Sequence, residues 1–304
     1  MAAPRPILTL DFAATGRVDR RLAFARASRG VRLTPQGRLR TSPAGQPRVE
    51  SAAAGGPRGL LLEGAATNLL PYGAGLGWTD CLPTTESVRT GLPAPDGSPT
   101  ACRVSSPSAV SVHRLRLDGP PAPGPYTGSL YVRPAGGGTL SVELFCYDQG
   151  AYPLDGRALI DLAGGVLLPG SSPGATLRPA GDGWSRVAIP TAEPIDGTAV
   201  FLLIVAPDPD GMPGAPCAVD VWGAQLEPGT AASSFIATAA GSAARAADAC
   251  SLPLALVRGW TPAEGTLLVE GALRGTAGPP RTLAALTGSG DGLTLRVLGG
   301  GEVR

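Results

Sequence analysis

YTGSLYVRPAGGGTLSVELFCY, residues 126–147, is where the fold class is decided. Tyr126, Leu130 and Val132 alternate with small or polar residues, and Leu140, Val142, Leu144 and Cys146 do the same after a glycine turn at 136–138. A period of two sends successive side chains to opposite faces, which is the behaviour of a half-buried strand. The same pattern recurs on both sides. ACRVSS (101–106) and AVSVHRLRL (109–117) read as strands, and CAVDVWGAQLE (217–227) alternates again. ALIDLAGGVLL (158–168) and ATLRPAGDGWSRVAIP (175–190) read as hairpins, turning at Gly164-Gly165 and Gly181-Asp182-Gly183. AVFLLIVAP (199–207) is nearly all apolar and suits a central strand. Short strands with closely spaced turns, and no sustained helical period, predict an all-β chain built on a jelly-roll β-sandwich.

The composition agrees with that reading. Gly 44 and Pro 32 make up a quarter of the 304 residues, while hydrophobic residues reach 43%. That combination is too apolar for disorder and is met by turn-dense β structure. Every basic residue is Arg, and the net charge is +1, so no broad attraction to nucleic acid or membrane is implied. The exception is local: residues 17–48 hold nine arginines against one acid, Asp19. The five cysteines, 81, 102, 146, 217 and 250, form no CxxC and leave an odd count, so neither a zinc site nor a disulfide framework is expected. No apolar run has the length of a membrane-spanning helix, and the first residues lack the apolar region of a signal peptide.

Working outward, Ile7-Leu8-Thr9-Leu10-Asp11-Phe12 reads as a short strand. VRLTPQGRLRT (31–41) reads as a hairpin, and 42–58 as loop or extended arm. In GGPRGLLLEGAATNLLPYG (55–73), Leu60, Leu61 and Leu62 read as a short strand buried on both sides, and Leu69 and Leu70 as an anchor under the sandwich. Residues 231–249 are small and Ala-rich and read as an extended linker lying on the sandwich. GTLLVEGAL (265–273), RTLAALTG (281–288) and GLTLRVLGG (292–300) read as further strands. The expected organisation is an arm at 1–58 with its hairpin, the sandwich at 59–236, a linker at 237–252 and a short β segment at 253–304.

Several of these pieces, in order, resemble one family of phage virion proteins, the head-spike-fibre or tail-fibre-like proteins. The resemblance rests on Leu10-Asp11-Phe12, Arg26-Ala27-Ser28, the hairpin 36–41, Pro47-Arg48, Pro57-Arg58-Gly59-Leu60-Leu61-Leu62-Glu63 and Thr67-Asn68-Leu69-Leu70. It continues through 126–132, Gly181–Arg186, Trp222-Gly223-Ala224-Gln225-Leu226-Glu227, Ser234–Thr238 and Arg245-Ala246-Ala247-Asp248. It covers roughly residues 9–250. Glu264–Glu270 also matches the start of the lectin-like second jelly roll found in relatives. The resemblance implies a structural virion protein, made in the host cytoplasm and released with the particle. It further implies a carbohydrate-binding-module-like sandwich, homo-oligomeric assembly with a trimer favoured, and docking on capsid or tail proteins through the N-terminal arm. Attachment to host-surface polysaccharide is the function expected. A purely structural adaptor that carries another adhesin and a glycan depolymerase are the alternatives.

Little in the residues points to catalysis. His113 is the one histidine and lies in a strand, so a Ser-His-Asp triad would have to use it. Glycosidase chemistry needs two flanking carboxylates; Glu143, Asp148, Asp155 and Asp161 are candidates that form no motif. No catalytic residue, metal site or cofactor is expected. Sugar binding needs flat aromatic faces and a few fixed polar groups. CYDQGAYPLDG (146–156) offers Tyr147, Asp148, Gln149 and Tyr152, and Trp78 lies in another loop. The tyrosines read either as a stacking platform for a sugar or as caps on the sandwich edge. Trp184 and Trp222 are expected in the core, and Asp182 and Asp220 at turns or strand ends.

Overall fold

The computed structural model describes residues 6–51, 58–74, 80–81, 87–106, 113–117, 122–136, 138–146, 154–191, 201–206, 217–261, 266–271, 281–286 and 293–297. The N-terminal region carries one helical turn, α1 (Phe12–Thr15), and the strands β1 (Ala23–Ala25), β2 (Gly30–Leu33), β3 (Leu39–Ser42), β4 (Arg48–Ser51), β5 (Arg58–Leu61) and β6 (Ala66–Asn68). The strand expected at 7–12 does not form. The Asp11 carboxylate accepts the Ala14 N–H at 2.8 Å, which caps α1, and Gly16 closes the turn in the left-handed region. Within the stretch expected as loop or arm, residues 48–51 are strand instead: β4 pairs with β5 as an antiparallel ladder, as β2 does with β3.

The sandwich follows. Its strands are β7 (Asp80–Cys81), β8 (Ser87–Leu92), β9 (Ala101–Ser106), β10 (His113–Leu117), β11 (Tyr126–Pro134), β12 (Thr139–Cys146), β13 (Leu154–Asp161), β14 (Val166–Leu167), β15 (Thr176–Gly181), β16 (Trp184–Pro190), β17 (Phe201–Ala206) and β18 (Cys217–Pro228). They form two six-stranded sheets, ordered β14-β13-β12-β17-β10-β7 and β15-β16-β11-β18-β9-β8. All pairings are antiparallel, and the chain switches sheets repeatedly, as a jelly roll requires. β17 lies between β12 and β10, the interior position its apolar run demands. The core fills the space between the sheets. Leu140, Val142, Leu144, Ala158 and Ile160 of the first sheet meet Leu130, Val132, Val187, Ile189 and Val221 of the second.

A second core covers the outer face of the second sheet. Leu33 and Leu39 of the β2–β3 hairpin pack with Tyr131, Ala180, Trp184, Trp222 and Phe235. The Trp222 and Phe235 rings lie 4.5 Å apart, and Tyr131 and Trp222 5.5 Å. Trp184 and Trp222 are thus buried, as expected. The hairpin docks tip to tip on β15–β16: a Cβ on Gly181 would lie 2.2 Å from the Gly37 Cα, so only glycine permits the contact.

β18 does not alternate throughout. Gly223 takes a φ of 68° where β18 gains one residue against β11. This bulge reverses the phase. Before it, Val219 and Val221 face the main core; after it, Ala224 and Leu226 do, while Gln225 and Glu227 turn to the arm side.

The segment expected as a linker is paired. β19 (Ala243–Arg245) forms a ladder with β6, and β20 (Ala249–Ser251) with β1. Both ends of the region are thereby stitched together. Leu60 and Leu61 are only half-buried and Leu62 is 49% exposed, so the three leucines are not buried on both sides. Leu69 and Leu70 anchor the segment as expected, Leu70 sealed in the main core and Leu69 packed against it. Residues 266–271, expected as strand, form no ladder, and Leu268 is 80% exposed. Farther on, β21 (Arg281–Leu286) and β22 (Leu293–Val297) pair with each other.

Candidate functional site

Tyr147, Asp148, Gln149, Tyr152 and Trp78 all lie outside the described residues. The backbone of His113 is placed on β10, opposite Val205 and Cys81. Of the candidate carboxylates, Asp148 lies outside the described residues, and Asp155 is placed only as a backbone position on β13. Glu143 accepts from the Ser141 hydroxyl at 2.8 Å, and its carboxylate lies 4.0 Å from Arg157. Asp161 accepts the Ala163 N–H at 3.0 Å and shapes the β13–β14 turn. Asp182 sits in a turn at a φ of 52° and pairs with Arg38 at 3.3 Å, in the role expected of it.

What the described residues bring together is a buried polar knot, assembled from the short motifs spread along the chain. Arg48 donates from Nη2 to Asp248 at 2.6 Å and lies 2.8 Å from Glu63; from Nη1 it donates to the Ser234 hydroxyl at 2.8 Å. Arg26 reaches the other oxygen of Asp248 at 3.0 Å and the Pro43 carbonyl at 2.8 Å. The Glu63 carboxylate accepts both the N–H and the hydroxyl of Ser234 at 2.7 Å, while its own backbone N–H donates to Asp248 at 2.9 Å. Arg245 lies 3.7 Å from Glu63, and burial pushes its guanidinium below the ordinary arginine range. The side chains of Arg26, Arg48 and Asp248 are wholly buried.

Burying charge costs several kcal/mol per ion, so such a group persists only with near-complete pairing. Here three guanidiniums surround two carboxylates, and backbone and hydroxyl groups complete most of the bonding. With Arg26, Arg48 and Asp248 wholly buried, the knot offers little charge to a ligand. Its work is to tie residues 26, 48, 63, 234, 245 and 248 into one unit.

A second polar seam runs beside it. The Asn68 amide donates to the carbonyls of Ala224 at 3.1 Å and Ile236 at 3.0 Å, and accepts the N–H groups of Leu70 and Leu226 at 3.1 Å each. Gln225 accepts the Ile236 N–H at 2.8 Å and donates to Glu227, which accepts the Ser233 N–H at 2.9 Å. The Thr238 hydroxyl accepts from Gly73 at 2.8 Å. Residues 233–238 are thereby held as a strap across the outer side of the second sheet. No spacing rule exposes the contacts of Asn68 to residues 224, 226 and 236, of Thr238 to Gly73 or of Arg48 to Ser234, whose partners lie more than 150 residues apart along the chain.

Arm and strap thus cover much of the second sheet's outer face. On the first sheet's outer face the described side chains include Glu143, Arg157 and the half-buried Leu159, a mixed polar and apolar surface. Residues 171–172 guard its edge: the Ser171 and Ser172 hydroxyls accept the N–H groups of Leu159 and Arg157.

No family model matches the chain, and no curated protein matches it. Among solved structures it is similar to the enzymatically active domain of the bacteriophage CBA120 tailspike protein 4, at 12% identity and a TM-score of 0.35, over 52% of this chain and 21% of that one. A carbohydrate-binding module of the β-sandwich superfamily matches at 12% identity and a TM-score of 0.37, over 66% of this chain and 85% of that one. The CBM22-1–GH10 modules of Clostridium thermocellum xylanase 10B, solved with xylohexaose, match at 12% and 0.35, over 58% and 30%. The chain spans about a fifth of the length of the tailspike it resembles. Likeness at these scores adds nothing to what the two sheets already show.

Proposed function

We propose that this chain is a spike or fibre component of a phage virion whose β-sandwich contacts host-surface polysaccharide. One observation carries the reading. Motif residues that resemble the head-spike-fibre family, namely Arg26, Arg48, Glu63, Ser234, Arg245 and Asp248 of the knot and Asn68, Gln225 and Glu227 of the seam beside it, converge on one buried region although they are scattered over 220 residues. Chance similarity along the sequence gives no reason for such convergence. A shared architecture does. The consequence for binding is positional: with much of one outer face covered, a ligand can meet the other face, the loops, or the part of the covered face left open, where Arg103 and Arg133 keep 33% and 23% of their side chains exposed. The test is retention of the purified full-length chain on polysaccharide from a susceptible host's surface. Measurable binding is expected, and no retention on any host glycan would count decisively against the reading.

A second reading, a structural adaptor, is favoured by a separate observation. Arg17, Arg20, Arg29 and Arg40 are exposed and carry no ion pair among the described residues. Such a set suits an acidic protein surface. Replacing the four by Gln is expected to deplete the spike from assembled particles while leaving glycan retention intact. Normal particle content in that variant would remove this reading.

A further inference from the structure

Asp220 was expected at a turn or strand end. It lies instead within β18, wholly buried, on the same side of the second sheet as Trp222. Its neighbours in register are Arg103 on β9 and Arg133 on β11. Arg103 donates from Nε at 2.6 Å and from Nη2 at 3.1 Å; Arg133 donates from Nε at 3.0 Å and from Nη2 at 2.8 Å. Arg133 is also stacked 4.7 Å over the Trp184 ring. Both guanidiniums are therefore fixed in direction by a carboxylate behind them, and one by an aromatic face as well.

Neither is used up. The Nη1 of each makes no hydrogen bond among the described residues and neither is a buried orphan, while the side chains keep 33% and 23% of their surface exposed. Two guanidiniums against one carboxylate leave a positive excess at this spot, which an anionic group would balance. Oriented guanidinium donors suit flat or tetrahedral oxyanions and hold them by charge-assisted bonds.

We propose that the Arg103–Asp220–Arg133 row is a binding subsite for a monoanionic group, a uronate carboxylate or a phosphodiester, carried on an acidic polysaccharide. The inference rests on the polysaccharide-binding reading above and names the class of glycan. Asp220 serves as a positioning residue and the two arginines as the ligand contacts.

The experiment measures retention of the full-length chain on immobilised polygalacturonate, alginate and poly(glycerol phosphate), with carboxyl-reduced alginate and dextran as neutral counterparts. Retention on at least one acidic polymer is expected to exceed that on the neutral ones about tenfold or more, and to fall steeply with salt. Which polymer is preferred separates carboxylate from phosphate. Arg103→Gln is expected to abolish that preference. Arg133→Lys keeps a positive charge against Asp220 and tests the oriented fork itself; it is expected to weaken acidic retention with an unchanged melting temperature. If acidic and neutral polymers are retained equally, or if both variants that melt normally behave as the parent, the subsite is refuted while polysaccharide binding stands. If nothing is retained on any polymer or on host glycan, both fall.

Discussion

All four hydrogen-bonding positions of the Asn68 amide are filled by backbone groups of Leu70, Ala224, Leu226 and Ile236. Asn68→Leu keeps the volume and strands four buried polar groups. Unsatisfied groups cost about 1–3 kcal/mol each, partly relieved by relaxation, so a loss of about 3 kcal/mol or more is expected in urea denaturation. A change below about 1 kcal/mol would mean that the seam finds other partners. Asp19 illustrates the opposite, exposed case. Hydrogen bonds from the Arg21 side chain and backbone hold its carboxyl down at about 2, below the ordinary 3.8. A depressed folded value gives stability that is present above the unfolded value and lost as pH falls toward 2. At this exposed site the effect on stability is small, but the titration is measurable. Arg21→Ala removes the side-chain bond and keeps the backbone one, so the Asp19 midpoint, read by NMR, is expected to rise part of the way to 3.8.

Among the elements, the β2–β3 hairpin shows how glycine sets a docking distance. Its Gly37 meets Gly181 backbone to backbone, and Leu33 and Leu39 then reach Trp184 and Trp222. Gly181→Val adds side-chain atoms where even a Cβ has no room, at a residue whose φ is 82°. The expected outcome is an undocked hairpin, seen as a red-shifted tryptophan emission and early protease cleavage near residue 37, with the sandwich still folded. Emission and cleavage unchanged from the parent would mean that the hairpin tip is not what seats the arm. The element also shows the limit of pattern reading. Alternation identifies Leu33 and Leu39 as an inward pair, but nothing local says what they face.

For the whole molecule, the knot makes the N-terminal region and residues 243–251 one cooperative unit. Asp248 alone accepts from Arg26, Arg48 and the Glu63 backbone. Asp248→Asn leaves buried guanidinium charge without its partner, and breaking such a pair costs about 3–5 kcal/mol. Protease sites before residue 50 and after residue 240 are expected to open together in this variant. Opening of one without the other would show two independent segments. Much of the architecture was legible in the sequence, because strand periodicity and glycine turns are local signals. The sandwich strands from β9 onward, the hairpins at 31–41, 158–168 and 175–190, and the interior place of β17 follow from them, while β7 and β8 do not. Local signals also misled. A leucine run suggested burial where Leu62 is exposed, alternation hid the reversal at Gly223, and small residues suggested a linker where β19 and β20 close the fold. The sugar-site residues read from the sequence, Tyr147, Asp148, Gln149, Tyr152 and Trp78, fall outside the described residues, and the arginine row on the second sheet carried no local mark at all. By itself the sequence determined that this chain is all β and where most of the sandwich strands from β9 onward lie, since side-chain period and turn chemistry act over a few residues. Only the tertiary structure decided which arginines are buried in the knot and which stand as a row beside Asp220, because charges gain or lose partners through contacts that close over a hundred residues or more.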